Sequence, residues 1–196
     1  SFHLWADDVA TLQVAPRDAF PLSDQVEPPT QVTISETKPW VVLDDFFPNL
    51  ATGFRVAEYN AHLSAFPQLT VLSSLAEFAT ERARYAALYP MHAPRVQAFS
   101  SQWLAGCGLA YINFLNNAAH YLPALQAQAL PFVLTLYPGG GFGLDEPESD
   151  QKLKNVLASP LLQAIIVTQP ITEAYLRTFG RVHNLPLPPL HRIDGV

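Results

Sequence analysis

A cluster of glycines is the feature of this 196-residue chain that most clearly suggests chemistry. Four of its nine glycines lie in one loop, Gly139-Gly140-Gly141-Phe142-Gly143. Glycine permits positive φ and close approach of a ligand to the backbone, so the N–H groups of such a loop can bind an anion. A flexible loop without a ligand is an equally good interpretation. The spacing is not GxGxxG and no helix follows at once, so it does not indicate a dinucleotide fingerprint.

A second possible anion site lies at Gly53, which ends the loop after an apolar run and is followed closely by Arg55. A helix that begins at Gly53 would offer free N–H groups and the positive end of its dipole. The alternative is a tight turn with a solvated Arg55. Asp44 and Asp45 open the same loop and could act as a general base, or could simply start or cap the loop.

His120 is a candidate for proton transfer. It follows Asn116-Asn117-Ala118-Ala119, and the pattern predicts that it lies in the first turn of a helix, where it could exchange a proton with a substrate hydroxyl. A surface or packing role is more common for such a histidine. The remaining histidines have no metal-like spacing, so we expect no metal site. The motifs GxSxG, HExxH and GxxxxGK[ST] are absent from the sequence.

Short apolar runs alternate with helical stretches along the chain. The strands and helices that they predict would have to position the candidate residues. The pattern predicts strands over 40–44, 69–72, 95–99, 109–115, 131–136 and 164–168, and helices over 53–65, 74–88, 118–129, 150–158 and 170–179. Ser74 and Glu77 are predicted to form a capping box, and Gly180 to end the last helix. The alternation predicts an α/β fold with a Rossmann-like parallel sheet flanked by helices over residues 40–196. Residues 1–39, rich in proline, are predicted to form an extended N-terminal arm that packs on this domain.

Ligands of open parallel sheets bind outside the carboxyl ends of the strands. This rule, together with the two glycine-bearing loops, selects the residues that we expect to face a substrate: Gly53, Arg55, Asp45, Asn116, Gly139, Gly140, Gly141 and Gln169. Their carboxylates, amides and free N–H groups suit a ligand that carries hydroxyl groups or phosphate.

Composition excludes several classes of function. Eleven Lys and Arg face seventeen Asp and Glu without any basic cluster, so nucleic acid is not expected as a partner. The sequence contains no run of about 20 apolar residues, so a transmembrane segment is not expected. The single Cys107 excludes an intramolecular disulfide and favours a cytoplasmic location. Charged residues make up only 14% of the chain, which indicates that part of its surface meets a partner.

Several segments resemble one enzyme family. They are the predicted strand 109–115 with the following helix and 131–137, the later stretch 161–168 with the helix from Pro170, and the ending His191-Arg192-Ile193-Asp194-Gly195-Val196. Asp44-Asp45-Phe46-Phe47-Pro48-Asn49 with Gly53 resembles the family's opening strand and glycine-bearing loop. Residues 40–196 are thereby similar to the N-terminal domain of GT-B fold glycosyltransferases, most of all to the retaining, family-four-like branch.

The resemblance implies a cytoplasmic enzyme that transfers a sugar from a nucleotide-sugar to a sugar or lipid-linked acceptor. The N-terminal domain of that family holds the acceptor, a C-terminal domain holds the nucleotide, and the reaction takes place between them. A strand with an Asn-Gly-Val-like turn closes the family's N-terminal domain. The chain would then stop where the second domain begins, and alone it would be inactive. No cofactor is implied, because the nucleotide-sugar is a co-substrate.

The family often places a histidine after the fifth strand, whereas this chain has Tyr137 followed by Pro138. The resemblance therefore implies a catalytic hydrogen-bonding role for Tyr137, or a branch that handles its sugar differently. It also implies that Gly53 and Gly139 to Gly141 face the donor. His120 is our second catalytic candidate and comes from the residues alone.

Two other classes of function are open to this sequence. A non-catalytic α/β binding or assembly module would use the weakly charged surface as a protein interface. A flavodoxin-like or other nucleotide-binding enzyme would use the glycine loop directly.

Overall fold

A computed structural model describes residues 38–193, and its centre is one seven-stranded sheet. All neighbouring strands run parallel, in the order β3-β2-β1-β4-β5-β6-β7. The strands are β1 Trp40–Asp44, β2 Leu69–Ser73, β3 Val96–Ala98, β4 Leu109–Asn113, β5 Phe132–Leu136, β6 Leu162–Val167 and β7 Leu190–Arg192. This Rossmann-like arrangement confirms the predicted fold class. The predicted arm of residues 1–39 lies outside the described residues except for Lys38 and Pro39, and so do residues 194–196.

Helices cover both faces of the sheet. Those of the described part of the chain are α1 Gly53–Ala65, α2 Phe78–Leu88, α3 Leu115–Ala127, α4 Pro147–Leu157 and α5 Pro170–Val182, with short 3₁₀ turns at Ala93–Arg95 and Ser101–Leu104. The helices α1 and α2 pack on one face, and α3, α4 and α5 pack on the other. Right-handed crossovers require this division, because the chain moves outward from β1 in one direction and from β4 in the other.

Burial on both faces explains why the strands are continuous apolar runs rather than alternating ones. In β1, Val41 and Leu43 join the core under α3 to α5, while Val42 joins the core under α1 and α2. The central strands β4 and β5 are buried along their whole length. Within residues 38–193, no helix has both the length and the apolar character needed to cross a bilayer.

Three local predictions about helix ends are wrong. The helix α2 begins at Phe78 without any side-chain cap, and Ser74 Oγ instead accepts a hydrogen bond of 2.7 Å from the Tyr121 hydroxyl. Gly180 lies inside α5, where it leaves room for the Leu187 side chain. The helix α3 begins at Leu115 rather than at Ala118, so His120 lies in its second turn.

The last described strand, β7, pairs in parallel with β6 through Ile165 and Leu190. The pattern of apolar residues did not predict this strand, although the family resemblance implies a closing strand at this place. Strand β7 lies at the edge of the sheet. This explains its weak pattern of apolar residues, because only one of its residues is more than slightly protected from solvent.

Candidate functional site

The strand order reverses between β1 and β4, and this point defines the candidate site. The two strands are direct neighbours, with Leu43 beside Ile112, but the helices that follow them lie on opposite faces. A crevice for ligands opens at such a switch point, outside the carboxyl ends of the strands. Asp44 and Asn113 end the two strands, and both side chains are fully buried.

Asp44 is fixed by the chain around it. Its Oδ1 accepts hydrogen bonds from the backbone N–H groups of Phe46 and Phe47, at 2.8 and 2.6 Å, and from Arg55 Nη1 at 2.7 Å. Its Oδ2 accepts the Tyr59 hydroxyl at 2.7 Å. The carboxylate therefore shapes the loop of residues 45–52, here called the β1 loop, as a loop-starting aspartate does. Because it is fully buried and already holds four donors, three on Oδ1 and one on Oδ2, the carboxylate serves the structure of the loop rather than proton transfer to a ligand.

Arg55 is held between two carboxylates and is not the solvated side chain of the alternative interpretation. Its guanidinium bonds both Asp44 and Asp45 Oδ1, the latter at 3.0 Å, and only 12% of its side chain is exposed. Burial alone would lower the pKa of Arg55, but the neighbouring carboxylates keep it above its ordinary value. The guanidinium is thus always charged, yet its charge is balanced within the site.

The N-terminus of α1 is open. The helix begins at Gly53, and its N-cap, Thr52, makes no side-chain cap because its hydroxyl donates to the Asn49 carbonyl. No atom lies within 4 Å of the position where a Cβ of Gly53 would stand. Since the first N–H groups of a helix have no partner inside it, this end can accept an anion.

Three aromatic rings lie around the Arg55 guanidinium, those of Phe46, Phe54 and Phe114, and the Tyr137 ring packs against two of them. These four residues are here called the aromatic cluster. The Arg55 Cζ lies 4.6 Å from the centre of the Phe114 ring. Phe114 and Tyr137 lie 5.3 Å apart, and Phe54 lies about equally far from both, at 6.1 and 6.2 Å. Phe54 is 52% exposed, so the cluster presents an apolar wall to solvent at the switch point.

The glycine loop after β5 is closed on itself and on α3. The N–H groups of Gly139 and Phe142 each donate to the other's carbonyl at 3.0 Å, and the Gly140 carbonyl accepts the N–H of Asn116 at 2.9 Å. Gly139, Gly140 and Gly141 all have positive φ, at 80°, 55° and 89°. The Gly140 carbonyl thereby occupies the N-terminus of α3, where an anion would otherwise bind.

Contact with α3 explains why these positions are glycine. A Cβ on Gly140 would lie 2.3 Å from the Phe114 ring, and one on Gly141 would lie 2.0 Å from Asn116 Oδ1. Phe114 itself has a φ of 73°, a conformation that costs a residue with a side chain about 1–3 kcal/mol. The surrounding contacts must supply this free energy, and the packed glycines are among them.

The remaining predicted residues lie at different places on this edge. Tyr137 follows β5 directly, and burial together with nearby Glu58 raises its pKa, so its hydroxyl stays protonated and can only exchange hydrogen bonds. Asn116 is exposed, and its Oδ1 accepts Lys152 Nζ at 2.9 Å. Gln169 is exposed at the start of α5, beyond β6.

The structure does not bring His120 together with the other candidates. Its side chain is exposed on α3, and its ring packs against Tyr121 with centres 4.7 Å apart. This arrangement fits the surface role that was the alternative for this histidine.

Sequence reasoning missed a buried polar group beside the switch point. Glu58 Oε1 accepts the Tyr111 hydroxyl at 2.8 Å, and Oε2 accepts Asn113 Nδ2 at 3.1 Å. The Tyr111 hydroxyl also bonds Thr135 Oγ1 at 2.7 Å. Burial raises the pKa of Glu58. The available signal was its position three residues after Arg55, on the same side of α1.

A small cavity of about 20 Å³ lies elsewhere, at the amino ends of the strands. It is lined by the first residues of β1, β2 and β4 and by His62 near the end of α1. Burial lowers the pKa of His62 to about 4, so this histidine is neutral at physiological pH. Among residues 38–193, no group of His, Cys, Asp or Glu side chains is placed to hold a metal ion.

Comparison with known proteins gave no significant match: no family model, no curated sequence and no solved structure matches the chain. What the chain does must therefore be argued from its own fold and site.

Proposed function

We propose that residues 40–196 form the acceptor-side half of a GT-B glycosyltransferase, which transfers a sugar from a nucleotide-sugar to an acceptor. The observation that carries this proposal is the open N-terminus of α1 at Gly53, placed at the switch point of a parallel sheet with Rossmann strand order. A diphosphate can approach backbone N–H groups there, because glycine leaves the space in front of them empty.

Each group at this edge has a part in the proposed reaction. The bond between the sugar's anomeric carbon and the diphosphate oxygen breaks, the acceptor oxygen bonds that carbon, and the acceptor's hydroxyl proton leaves with the diphosphate. The α1 N–H groups stabilise the departing negative charge. Arg55 positions the β1 loop rather than binding phosphate, because Asp44 and Asp45 already balance its charge. In this proposal the Tyr137 hydroxyl bonds the sugar.

The proposal includes a second domain that holds the nucleotide, and a cytoplasmic location, which a chain with a single cysteine favours. Phosphate stabilisation by N–H groups requires no metal ion.

The test uses the complete protein, expressed from the reading frame of this chain up to its stop codon. It is incubated with UDP-, GDP-, ADP- and dTDP-hexoses, and released nucleoside diphosphate is measured by chromatography. The proposal expects release from one of these donors, above the level of a blank. Release from none of them overturns it. Tight nucleotide binding by the 196-residue chain alone would favour the nucleotide-binding enzyme instead.

A second candidate function, a non-catalytic binding module, has one observation in its favour. Four exposed apolar side chains lie on two loops and two helix starts at the carboxyl edge of the sheet: Phe46, Phe54, Leu144 and Ile171. Such a surface suits a protein partner as well as a second domain. A stop codon directly after Val196, with a stable hetero-oligomer by native mass measurement, would favour the module.

A further inference from the structure

The Glu58 carboxylate lies at the switch point with hydrogen-bond acceptor positions to spare. We propose that Glu58, with Asn113 and the exposed ring of Phe54, forms a subsite that binds the hydroxyl groups of a carbohydrate acceptor. This inference rests on the proposed glycosyltransferase function and names its acceptor class as a sugar ring rather than a lipid chain.

Glu58 is a partly buried carboxylate without an ion-pair partner among residues 38–193. Arg55, one turn earlier on α1, is bonded to Asp44 and Asp45 instead. Burying a charge without a counter-ion costs free energy, so such a group is found more often at functional sites than elsewhere. The Tyr111 and Asn113 donors occupy two of about four acceptor positions on the carboxylate, and the others can bind a ligand.

Asn113, beside Glu58, has a side chain that is fully buried at the end of β4. Its amide nitrogen faces Glu58 and donates a hydrogen bond to Oε2. Its Nδ2 also lies 3.1 Å from the Tyr59 hydroxyl, while its Oδ1 is buried without a hydrogen-bond partner. Unpaired acceptors of this kind are costly in a protein interior.

Together these groups decide the chemistry of the ligand. Glu58 and Asn113 Oδ1 both require hydrogen-bond donors, which hydroxyl groups supply and which phosphates and hydrocarbon chains do not. The subsite offers hydrogen-bond acceptors, and so it differs from the N–H donors at the start of α1, where a phosphate would approach. One edge of the sheet thus offers separate places for a phosphate and for a hydroxyl-bearing acceptor.

The aromatic cluster lies beside the Glu58 carboxylate. Phe54 and Glu58 are four residues apart on α1 and so lie on one face of the helix. The exposed Phe54 ring lies 6.2 Å from the ring of Tyr137. Sugar rings combine an apolar C–H face, which packs on aromatic rings, with hydroxyl groups along their edge. A ring stacked on Phe54 would direct such hydroxyls towards Glu58.

The test uses the complete protein with a nucleotide-sugar that it consumes, and methyl glucoside, methyl galactoside and methyl mannoside as acceptors. The variants are Glu58→Gln and Phe54→Ala, with Glu77→Gln, an exposed residue at the start of α2, as the matched control. The inference expects both site variants to raise the KM for the glycoside at least tenfold. The control is expected to behave as the wild type.

Failure of this subsite is distinguishable from failure of the proposed function. If the protein transfers sugar but the glycoside KM is unchanged in both variants, the subsite is wrong and the glycosyltransferase stands. If no donor is consumed, ligand-observed NMR titration with the same glycosides tests the subsite alone. Binding by the wild type that is lost in Glu58→Gln and Phe54→Ala supports it, whereas absence of binding, or binding that both variants retain, overturns it.

Discussion

The loops after β1 and β5 both carry glycine at the carboxyl edge of the sheet, but only one of them is open. After β5, three consecutive glycines have positive φ, two of them pack against Phe114 and Asn116, and a glycine carbonyl occupies the start of α3. After β1, the single Gly53 begins α1 with empty space in front of it. The glycine-rich loop is used for packing, and the loop with one glycine leaves its N–H groups available.

The number of glycines in a loop therefore does not identify a ligand site. Several glycines in succession show that the backbone needs positive φ or a close contact, and the contact can be with the protein itself. A single glycine at the first position of a helix, with nothing packed on it, indicates an external ligand more directly.

The largest effect is expected for Asp44→Asn, which removes the charge that organises the β1 loop. The substitution leaves the buried Arg55 guanidinium without its main partner, so we expect a loss of about 3–5 kcal/mol of unfolding free energy. Asp45→Asn is the matched control, because Asp45 is half exposed and makes one contact with the same guanidinium. It should cost less than about 1 kcal/mol. Urea unfolding measures both, and equal losses would contradict the assigned role of Asp44.

Gly140→Ala tests the closed loop. The added Cβ would lie 2.3 Å from the Phe114 ring in a backbone conformation that alanine rarely adopts, so we expect a loss of about 2–4 kcal/mol. Gly139→Ala shares the positive φ but has open space around it, and it should cost less. Thermal unfolding of the two variants separates the cost of alanine at positive φ, which both share, from the cost of the clash with Phe114, which only Gly140→Ala has. A neutral Gly140→Ala would show that the loop is not packed as described.

The helices α1 and α3 each carry a histidine, which is buried on α1 and exposed on α3. The pKa of His62 is lowered from 6.5 to about 4 in the folded chain, so protonation favours unfolding. Its stabilisation is complete above pH 6.5 and is lost as the pH falls towards 4. We expect about 2 kcal/mol to be lost between pH 7.5 and pH 5.

The measurement is the unfolding free energy as a function of pH for the wild type, His62→Phe and His120→Gln. Replacement of His62 should remove this part of the pH dependence, whereas His120→Gln should retain it. Parallel pH profiles for the wild type and His62→Phe would show that another group is responsible.

The smallest effect on stability is expected for Gly53→Ala. No atom obstructs the added methyl group and the φ of Gly53 is not positive, so alanine should be neutral or stabilise the fold by up to about 1 kcal/mol. A clear loss of thermal stability would mean that the space in front of α1 is filled, and the contrast between the two loops would not hold.

The sequence predicted the sheet well because its strands are buried on both faces and stand out as apolar runs. It also placed the β1 loop and the start of α1 correctly. The strand ends were less accurate: β4 ends at Asn113 and not at residue 115, and this shift concealed the residue at the switch point.

The buried contacts of the site could not be predicted in this way. The hydrogen bond from Asn113 to Glu58 joins residues 55 positions apart, and no local pattern encodes such a pair. The same holds for the contact of Gly140 with Phe114, which packs a loop that the sequence left open as either an anion site or a loop without a ligand. Pairings of this kind arise from tertiary structure, whereas periodicity reports only which side chains are buried.

The most direct test of the account is the rate of nucleoside diphosphate release from a nucleotide-sugar by the complete protein, with wild-type Gly53 and with Gly53→Ala. We predict release by the wild type and at least a tenfold slower release by the variant at unchanged thermal stability, because the methyl group would stand where the phosphate approaches α1. Equal rates in the two proteins, or no release from any donor, would contradict it.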